Sequence, residues 1–341
     1  MSRGSRGHGA SRHHYGHRGR RARLPADVAP SPLLRAPWLD VHAGGAPVWL
    51  KDETWGPTGA FKIRGATNAV AALAPGARAR GVTTASTGNH GRALAHAASA
   101  QGVRAVICLS RLVPQNKVDA VRAAGGEVCI VGETQDEAGV EVERLAREEG
   151  LTPIPPFDHP DIIAGQGTIG LELADELLDV GTVLVGLSGG GLAGGLALAL
   201  KSRQPDARVI GLSPDNDGAA MYAAIQAGKP VDVPEPPSLA DSLGGGIGLD
   251  NAYTFALCRD LVDEVILLSE AEIAAGMRVL YREQGLVAEG GGAVGPAALL
   301  GGHIPAPTGP VVCIISGAGV DPDVFRAVLD GADALPGGGT A

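Results

Sequence analysis

From about residue 30 onward, the chain alternates short apolar runs, many of them β-branched, with longer amphipathic stretches. Apolar runs of four or five residues bounded by turn residues are typical of buried strands, whereas the longer stretches have the spacing of helices. Repeated alternation of strand and helix favours mainly parallel sheets whose faces are covered by helices. The sequence therefore predicts an α/β fold for nearly the whole chain.

The same runs predict where the individual elements lie. We expect strands at residues 47–50, 82–85, 105–109, 127–131, 183–186, 208–212, 264–268 and 311–315. We expect helices at residues 61–73, 89–101, 115–124, 135–149, 162–178, 192–202, 270–283 and 292–300. Residues 153–160 are predicted to be a connector. A chain of 341 residues is long enough for two domains or one large α/β unit.

Composition excludes several classes of protein. Hydrophobic residues make up 45% of the chain, but no uninterrupted apolar run approaches the roughly 18 residues that span a bilayer. The four cysteines lack the spacing of a zinc site or a disulfide framework, and most lie in apolar runs. We therefore expect reduced thiols, no membrane association and a cytoplasmic location.

Charge is distributed unevenly. The first 24 residues contain seven arginines and no acidic residue, so the remainder has 21 basic and 37 acidic side chains. We predict that residues 1–24 form a disordered basic head, although its four histidines leave metal chelation as an alternative. Residues 331–341 are expected to be a flexible tail. The acidic body argues against nucleic-acid binding.

Four segments combine glycines with reactive or hydrogen-bonding side chains at predicted turns. Lys62 lies in the run 56–66 and begins a helix, and residues 86–91 read Ser-Thr-Gly-Asn-His-Gly. Residues 188–191 read Ser-Gly-Gly-Gly, and residues 316–319 read Ser-Gly-Ala-Gly. The last three segments follow predicted strands, where α/β sheets present ligand-binding loops. We expect these segments to serve the same chemistry.

Two of these segments suit a phosphorylated aldehyde cofactor. A rigidly held amine such as that of Lys62 can form a Schiff base with an aldehyde. The glycine run 188–191 lies before a helix, where backbone N–H groups and the helix dipole bind phosphate. Glycines also serve helix packing, so that alternative stays open. A nicotinamide site is disfavoured because the first strand–turn–helix lacks a Gly-x-Gly-x-x-Gly pattern.

In their order and spacing, the four segments resemble those of fold type II pyridoxal-phosphate enzymes, the threonine dehydratase and serine racemase group. The resemblance covers roughly residues 30–330. It implies a two-lobed, tryptophan synthase β-like architecture that binds pyridoxal 5′-phosphate between the lobes. The implied domains are a large cofactor-binding domain of residues 25–66 and 163–330 and a small mobile domain of residues 67–162. It also implies a homodimer, and the chain length leaves no room for a C-terminal regulatory domain.

The resemblance assigns roles to individual residues, with Lys62 as the catalytic amine. The implied cofactor-binding residues are Lys62, Asn89, Ser188, Gly189, Gly190, Gly191, Leu192, Glu289 and Ser316. The implied substrate-binding residues are Ser86, Thr87, Gly88 and His90. Helix capping by Ser86 or Thr87 and a packing role for Glu289 remain open alternatives, and His90 is expected to brace its loop. No metal site is expected, since Ser213 replaces an acidic ligand of racemase-like members.

The implied activity is that of a dehydratase, or ammonia-lyase, which converts a β-hydroxy amino acid to a 2-oxo acid and ammonia. A serine at the cofactor's ring nitrogen, the position matched by Ser316, gives a weaker electron sink that suits elimination. The alternatives are a racemase of the same fold, which Thr87 disfavours because racemases carry serine there, a β-replacement enzyme, and a catalytically silent binding protein.

A narrower resemblance concerns the substrate, an amino-acid-like small molecule. Residues 84–94, 156–160 and 238–251 are similar to those of the hydroxyectoine-utilisation dehydratase subgroup. Arg92 replaces a glutamine that is common in threonine dehydratases, and the turn around Ser242 is longer. Deamination of L-threonine or L-serine and use of a larger hydroxyectoine-related substrate therefore both remain open.

Overall fold

The computed structural model describes residues 24–86 and 88–335, and every structural statement below refers to them. The strands are β1 Leu33–Arg35, β2 Val48–Asp52, β3 Val82–Ala85, β4 Ala105–Leu109, β5 Glu127–Ile130, β6 Thr152–Pro153, β7 Thr182–Gly186, β8 Arg208–Pro214, β9 Glu264–Leu268 and β10 Val311–Ile315. The helices are α1 Lys62–Ala71, α2 Pro75–Arg80, α3 Asn89–Ala100, α4 Gln115–Ala123, α5 Gln135–Glu148, α6 Pro160–Glu176, α7 Gly191–Lys201, α8 Ala220–Ala227, α9 Thr254–Leu261, α10 Glu270–Gln284, α11 Gly290–Leu300 and α12 Pro322–Leu329.

The larger sheet has six strands in the order β1-β2-β10-β7-β8-β9. Only β1 is antiparallel to its neighbour, so five strands direct their carboxyl ends to the same edge. Side chains alternate between two hydrophobic clusters, as β10 illustrates: Val312 and Ile314 join one cluster, whereas Val311, Cys313 and Ile315 join the other. Because both faces of the sheet are buried, its strands are continuous apolar runs.

The smaller sheet has four parallel strands in the order β5-β4-β3-β6. Its faces also divide the core: Ile107 and Leu109 of β4 pack in one cluster, and Val106 and Cys108 in another. The α/β architecture with mainly parallel sheets flanked by helices is therefore confirmed. The predicted domain boundaries are not tested by this arrangement and stay a prediction.

All sixteen elements predicted from the sequence are present in the described part of the chain, and their bounds differ from the prediction by at most two residues. The prediction missed β1 and β6, which have three and two residues, and α2, α8, α9 and α12, which have six to eight. Elements this short contain too little periodicity to be recognised. The predicted connector at 153–160 is also shorter, since β6 and α6 take its first and last residues.

Two further expectations concern the chain as a whole. None of the described helices is long and apolar enough to cross a membrane. The four cysteines are free thiols, and Cys108, Cys258 and Cys313 are buried. The predicted basic head lies outside the described residues except for Leu24, as does the predicted tail beyond residue 335.

Helix α6 is the longest described helix and packs tightly against α1 and α7 through glycines. A methyl group on Gly165 would lie 2.6 Å from the backbone oxygen of Arg64, and one on Gly170 would lie 2.5 Å from that of Leu196. Such distances show that the helix backbones are nearly in contact. The glycines therefore set how closely α1, which begins at Lys62, approaches the rest of the fold.

A buried network of ion pairs also fixes the position of α1. The guanidinium of Arg64 is fully buried and contacts Glu53 at 2.7 Å and Glu172 of α6 at 2.6 Å. Glu172 also pairs with the buried amine of Lys51 at 3.0 Å. Burial alone would lower the pKa of Arg64, but the attraction of Glu53 and the hydrogen bond to Glu172 raise it overall. The network is therefore charged and fully paired.

Replacing Arg64 by methionine should leave the buried carboxylates of Glu53 and Glu172 without their cation. We expect this to lower the free energy of unfolding by about 3–5 kcal/mol, because an unpaired buried charge retains its desolvation cost. Urea denaturation near pH 7 measures the effect. Arg104→Met is the control: it removes exposed pairs with Glu127 and Glu149 and should cost about 0–1 kcal/mol. Equal losses for the two variants would contradict the prediction.

Candidate active site

A cavity of about 310 Å³ is lined by residues from the helices and loops of both sheets. It brings together twelve of the thirteen residues that the sequence nominated: Lys62, Ser86, Gly88, Asn89, His90, Ser188, Gly189, Gly190, Gly191, Leu192, Glu289 and Ser316. The thirteenth, Thr87, lies outside the described residues. Segments more than 200 residues apart in sequence therefore meet at one site, although their individual roles stay predictions.

Lys62 is the first residue of α1 and is held by the loop before it. Gly59 has a left-handed φ of 63°, which makes a tight turn there. The backbone N–H of Phe61 donates to the carbonyl of Ser316 at 2.9 Å, and that of Ala318 donates to Gly59 at 2.9 Å. The lysine segment and the 316–319 segment are thus joined by backbone hydrogen bonds.

The Lys62 amine faces the cavity and donates a hydrogen bond to the carbonyl of Pro156 at 2.8 Å. Burial lowers its pKa to about 8, while the negative charge of Glu289 acts in the opposite direction. A lysine with this pKa is partly neutral near physiological pH, whereas an ordinary lysine is almost entirely protonated. Lys62 can therefore act as a nucleophile or as a base.

The glycine run 188–191 connects β7 to α7. Gly190 is the N-cap of α7 with a left-handed φ of 84°, and no side chain caps the helix. Gly189 and Gly191 lie directly under Phe157: a methyl group on Gly191 would be 3.0 Å from the Phe157 backbone, and one on Gly189 would overlap its ring. The N–H groups of the first turn of α7 therefore remain available for an anion in the cavity.

A second helix begins at the same cavity without a side-chain cap. The N-cap of α3 is Gly88, which has no side chain. Ser86 is at the cavity wall, and the first turn of α3 contributes Asn89 and His90. This is a second position where backbone N–H groups meet a small anion such as a carboxylate.

His90 lines the cavity, but its ring makes a hydrogen bond to the protein backbone. Its Nε2 donates to the carbonyl of Ile154 at 2.9 Å, which joins α3 to the segment after β6. Its buried Nδ1 has no hydrogen-bond partner among the described residues. Burial, followed by the nearby positive charge of Lys62, lowers its pKa to about 3. His90 is therefore neutral and joins two segments through its hydrogen bond to Ile154, and its predicted role in substrate binding stays a prediction.

Asn89 and Glu289 form a direct pair across the cavity. Nδ2 of Asn89 is 3.0 Å from each carboxylate oxygen of Glu289, and the backbone N–H of Gly319 donates to the same carboxylate at 2.9 Å. Burial raises the pKa of Glu289, and the hydrogen bond from Asn89 opposes this effect. Glu289 is the N-cap of α11 but its side chain makes no capping hydrogen bond, so the carboxylate belongs to the site.

Ser316 follows β10 and is buried, and its hydroxyl donates to the carbonyl of Gly291 at 3.1 Å. At the position where the resemblance indicated a metal ligand, the hydroxyl of Ser213 instead donates to the carbonyl of Leu187 at 2.6 Å. Within residues 24–86 and 88–335, no group of three or more His, Cys, Asp or Glu residues could hold a metal ion.

Sequence reasoning did not nominate several residues of the cavity wall, namely Lys117, Pro156, Phe157 and Asp241. Phe157 is placed by its neighbour Asp158, which accepts hydrogen bonds from the backbone N–H groups at the start of α9. Lys117 lies on α4, and Asp241 begins the short 3-10 helix Asp241–Leu243. No local pattern distinguishes them from other charged surface residues.

Known proteins resemble this chain in both sequence and structure. A family model described as pyridoxal-phosphate dependent enzyme matches residues 25–317. The chain belongs to this family. A Sinorhizobium fredii protein that is provisionally named a threonine dehydratase is 55% identical over 311 residues, which cover 91% of this chain and 93% of that protein.

Two solved structures resemble this pyridoxal-phosphate dependent enzyme closely. The processed form of threonine deaminase isoform 2 from Solanum lycopersicum has a TM-score of 0.83 and 36% identity over 90% of each chain. Maize serine racemase has the same TM-score and 32% identity, and the match covers 92% of this chain and 95% of that one. The fold type II assignment is thereby confirmed.

The cavity fits the family's cofactor on its own geometry. The first turn of α7 offers N–H groups without a side-chain cap to a phosphate, and the absence of side chains on Gly189 and Gly191 lets Phe157 pack directly against this loop. Lys62 offers a partly neutral amine to an aldehyde. The residues that would hold pyridoxal phosphate are therefore Lys62, the loop from Ser188 to Gly191, Asn89 and Ser316.

The lowered pKa of Lys62 gives a direct test. In protein freed of cofactor, competitive acetylation of Lys62 should rise with pH and reach half its maximum near pH 8, because only the neutral amine reacts. Glu289→Gln should move this midpoint to lower pH, since it removes the charge that raises the pKa of Lys62. Mass spectrometry of the Lys62 peptide measures the labelling. A midpoint above pH 10 in the unmodified protein would exclude this description of the site.

Proposed function

We propose that this chain is a dehydratase, or ammonia-lyase, that converts a β-hydroxy amino acid to a 2-oxo acid and ammonia. The observation that carries the proposal is the placement of a partly neutral Lys62 between two uncapped helix N-termini, those of α3 and α7. One end suits the cofactor phosphate and the other suits a substrate carboxylate. The names of the Sinorhizobium fredii and tomato relatives agree with this chemistry.

Pyridoxal phosphate, when bound, takes up the substrate amine and withdraws electrons from the adjacent carbon. The protein has to orient that carbon and remove its proton. We propose that the N-terminus of α3, with Ser86 and Gly88, holds the carboxylate. Lys62 then removes the α-proton as a general base, since its amine is partly neutral near physiological pH.

Elimination also requires a proton at the departing hydroxyl. After it has taken the α-proton, Lys62 is an ammonium in the same cavity and can return a proton to the β-oxygen. Water is thus lost across the Cα–Cβ bond, and hydrolysis of the released enamine gives the 2-oxo acid and ammonia. We assign Ser316, Asn89 and Glu289 to the electronic control of the cofactor, and Ser188 and the following glycines to its phosphate.

The physiological substrate is the finer question. L-Threonine and L-serine are one class, which the tomato relative's name supports. The second class is related to hydroxyectoine, which the resemblance of residues 84–94 and 238–251 supports. Hydroxyectoine is a cyclic amidine without a primary amine, so this cofactor could engage it only after ring opening. Hydrolysis of the amidine ring gives an N-acetylated β-hydroxy diamino acid, and a second hydrolysis releases acetate and the free β-hydroxy diamino acid. The candidates of that class are therefore the hydrolysis products that carry a free α-amine.

A racemase is the second candidate, and the similarity to maize serine racemase favours it. A racemase must protonate the α-carbon from the face opposite Lys62, and the resemblance puts Thr87 at that position. The structural description does not include Thr87, so measurement of the products has to separate the two activities. Release of the D-isomer without 2-oxo acid would favour the racemase.

The proposal predicts both a spectrum and a product. The purified protein should show the visible absorbance of lysine-bound pyridoxal phosphate, and a β-hydroxy amino acid should perturb it while 2-oxo acid accumulates. L-Threonine, L-serine, hydroxyectoine and its ring-opened hydrolysis products are compared at equal concentration. The compound with the highest kcat/KM identifies the substrate class, and intact hydroxyectoine should be inert.

Two variants control this experiment. Lys62→Ala should abolish both the visible absorbance and 2-oxo acid formation, because it removes the amine on which both depend. Lys201→Ala changes the lysine at the C-terminal end of α7, which pairs with Asp263. This variant should retain both the visible absorbance and 2-oxo acid formation. Persistent 2-oxo acid formation by Lys62→Ala would exclude the assignment. Protein that stays colourless after addition of pyridoxal phosphate would support a catalytically silent role.

We also propose that the enzyme is a homodimer, on the basis of the family resemblance alone. Analytical ultracentrifugation of the holoenzyme should then give about twice the chain mass of 34.3 kDa. A monomer at micromolar concentration would contradict this part of the proposal without affecting the chemistry of Lys62.

A further inference from the structure

Arg92 is a charged residue of the cavity wall whose contacts are specific. It lies one turn after Asn89 on α3, and its Nη2 donates to the carbonyl of Thr58 at 2.6 Å and to Oδ1 of Asn89 at 3.2 Å. Its Nε is buried and has no hydrogen-bond partner among the described residues. The guanidinium thus connects the loop before Lys62 with the first turn of α3.

Arg92 and Glu289 hold opposite ends of the Asn89 amide. A carboxamide has one acceptor end and one donor end. Because a guanidinium can only donate, Oδ1 of Asn89 faces Arg92 and Nδ2 faces the two carboxylate oxygens of Glu289, 3.0 Å away. An ionised Glu289 requires the same orientation, but a protonated Glu289 could donate to Oδ1 of a flipped amide, and the contact with Arg92 opposes that flip.

Glu289 depends on this arrangement because its own surroundings are poor in cations. Among the described residues it forms no ion pair within 4 Å, and its carboxylate is stabilised by Asn89, Ser242 and the N–H of Gly319. The nearby negative charge of Asp241 opposes ionisation. Arg92 touches this carboxylate only indirectly, through its hydrogen bond to Oδ1 of Asn89.

We propose that Arg92 is a positioning residue that orients the Asn89 amide and thereby sets the protonation of Glu289 in the active site. The inference rests on the roles that the proposed function gives to Asn89 and Glu289. Arg92 does not need to contact substrate for this role. This role accounts for an arginine in the cavity wall that donates hydrogen bonds to a backbone carbonyl and a neutral amide and pairs with no carboxylate of the described residues.

The expected direction follows from the charges that surround Glu289. Lys62 on α1 favours the carboxylate, Asp241 of the 3-10 helix disfavours it, and Lys117 on α4 partly offsets Asp241. Arg92 on α3 acts through the Asn89 amide in this proposal. His90 is neutral and adds no charge. Replacing Arg92 by a neutral residue removes a favourable term, so the pKa of Glu289 should rise.

The first measurement follows Glu289 itself. Holoenzyme labelled with [δ-13C]glutamate is titrated by NMR, and the Glu289 signal is identified by its loss in Glu289→Gln. Arg92→Gln should raise the Glu289 midpoint by roughly one pH unit, and Arg92→Lys, which keeps the charge, should restore part of the shift. Arg78→Gln is the matched control, because Arg78 is a partly buried arginine that contacts backbone carbonyls outside the cavity.

The second measurement tests the path through Asn89. In an Asn89→Ala background, Arg92→Gln should shift the midpoint much less than in the original protein, because the amide that transmits the effect is absent. An unchanged midpoint in Arg92→Gln, or a shift of equal size in the Asn89→Ala background, would overturn the proposal. If Arg92→Gln does not fold, the Arg92→Lys midpoint and its dependence on Asn89 decide the question.

A kinetic readout separates this inference from the proposed function. The acid limb of the kcat/KM profile should move to higher pH in Arg92→Gln, while the Arg78→Gln profile stays in place. If the unmodified enzyme converts no β-hydroxy amino acid to 2-oxo acid, the proposed function fails. The NMR midpoints still test Arg92 in that case, because they require bound cofactor but no turnover.

Discussion

The buried contact of Arg64 with Glu53 and Glu172 determines where the reactive amine lies. Arg64 is two residues beyond Lys62, and its guanidinium joins the first turn of α1 to the segment after β2 and to α6. Apolar residues could fill this volume at comparable stability. Unlike apolar packing, the ion network is directional, because the guanidinium N–H groups of Arg64 donate to specific oxygens. The position of Lys62 is therefore fixed by a network of paired charges whose members do not line the cavity.

The helices differ in how the backbone N–H groups of their first turns are satisfied, although lack of a side-chain cap is not confined to the cavity, since α2, α4 and α8 also lack one. Thr134 and Ser269 form capping boxes on α5 and α10, far from the cavity. At α3 and α7 the N-caps are Gly88 and Gly190, which provide no side chain. Glycine in place of a side-chain cap costs roughly a few tenths of a kcal/mol of stability. It leaves N–H groups that an anionic ligand can satisfy, so ligand binding can recover that stability.

The sequence predicted the repeating parts of the fold and the local parts of the site. Strands such as β7 and β10 are recognisable because burial on both faces requires continuous apolar residues. Glycines 189–191 and Lys62 are recognisable because their function depends on a short local turn. In contrast, the pairing of Asn89 with Glu289 joins residues 200 positions apart, and Phe157 and Asp241 enter the site only through tertiary packing. No periodicity or turn pattern contains that information.

Burial shifts the pKa values of Lys62 and Glu289 in opposite directions. Desolvation lowers the pKa of the amine and raises that of the carboxyl, so both groups are shifted toward their neutral forms. The hydrogen bonds from Asn89 and Gly319 restore part of the carboxylate's stability, and that carboxylate in turn favours the ammonium form of Lys62. A proton gained by Lys62 is thus stabilised inside the site without a bulk-water contact. The basicity of the Lys62 amine therefore depends on the Asn89 amide that stabilises the Glu289 carboxylate and, if Arg92 has the role proposed above, on Arg92 as well.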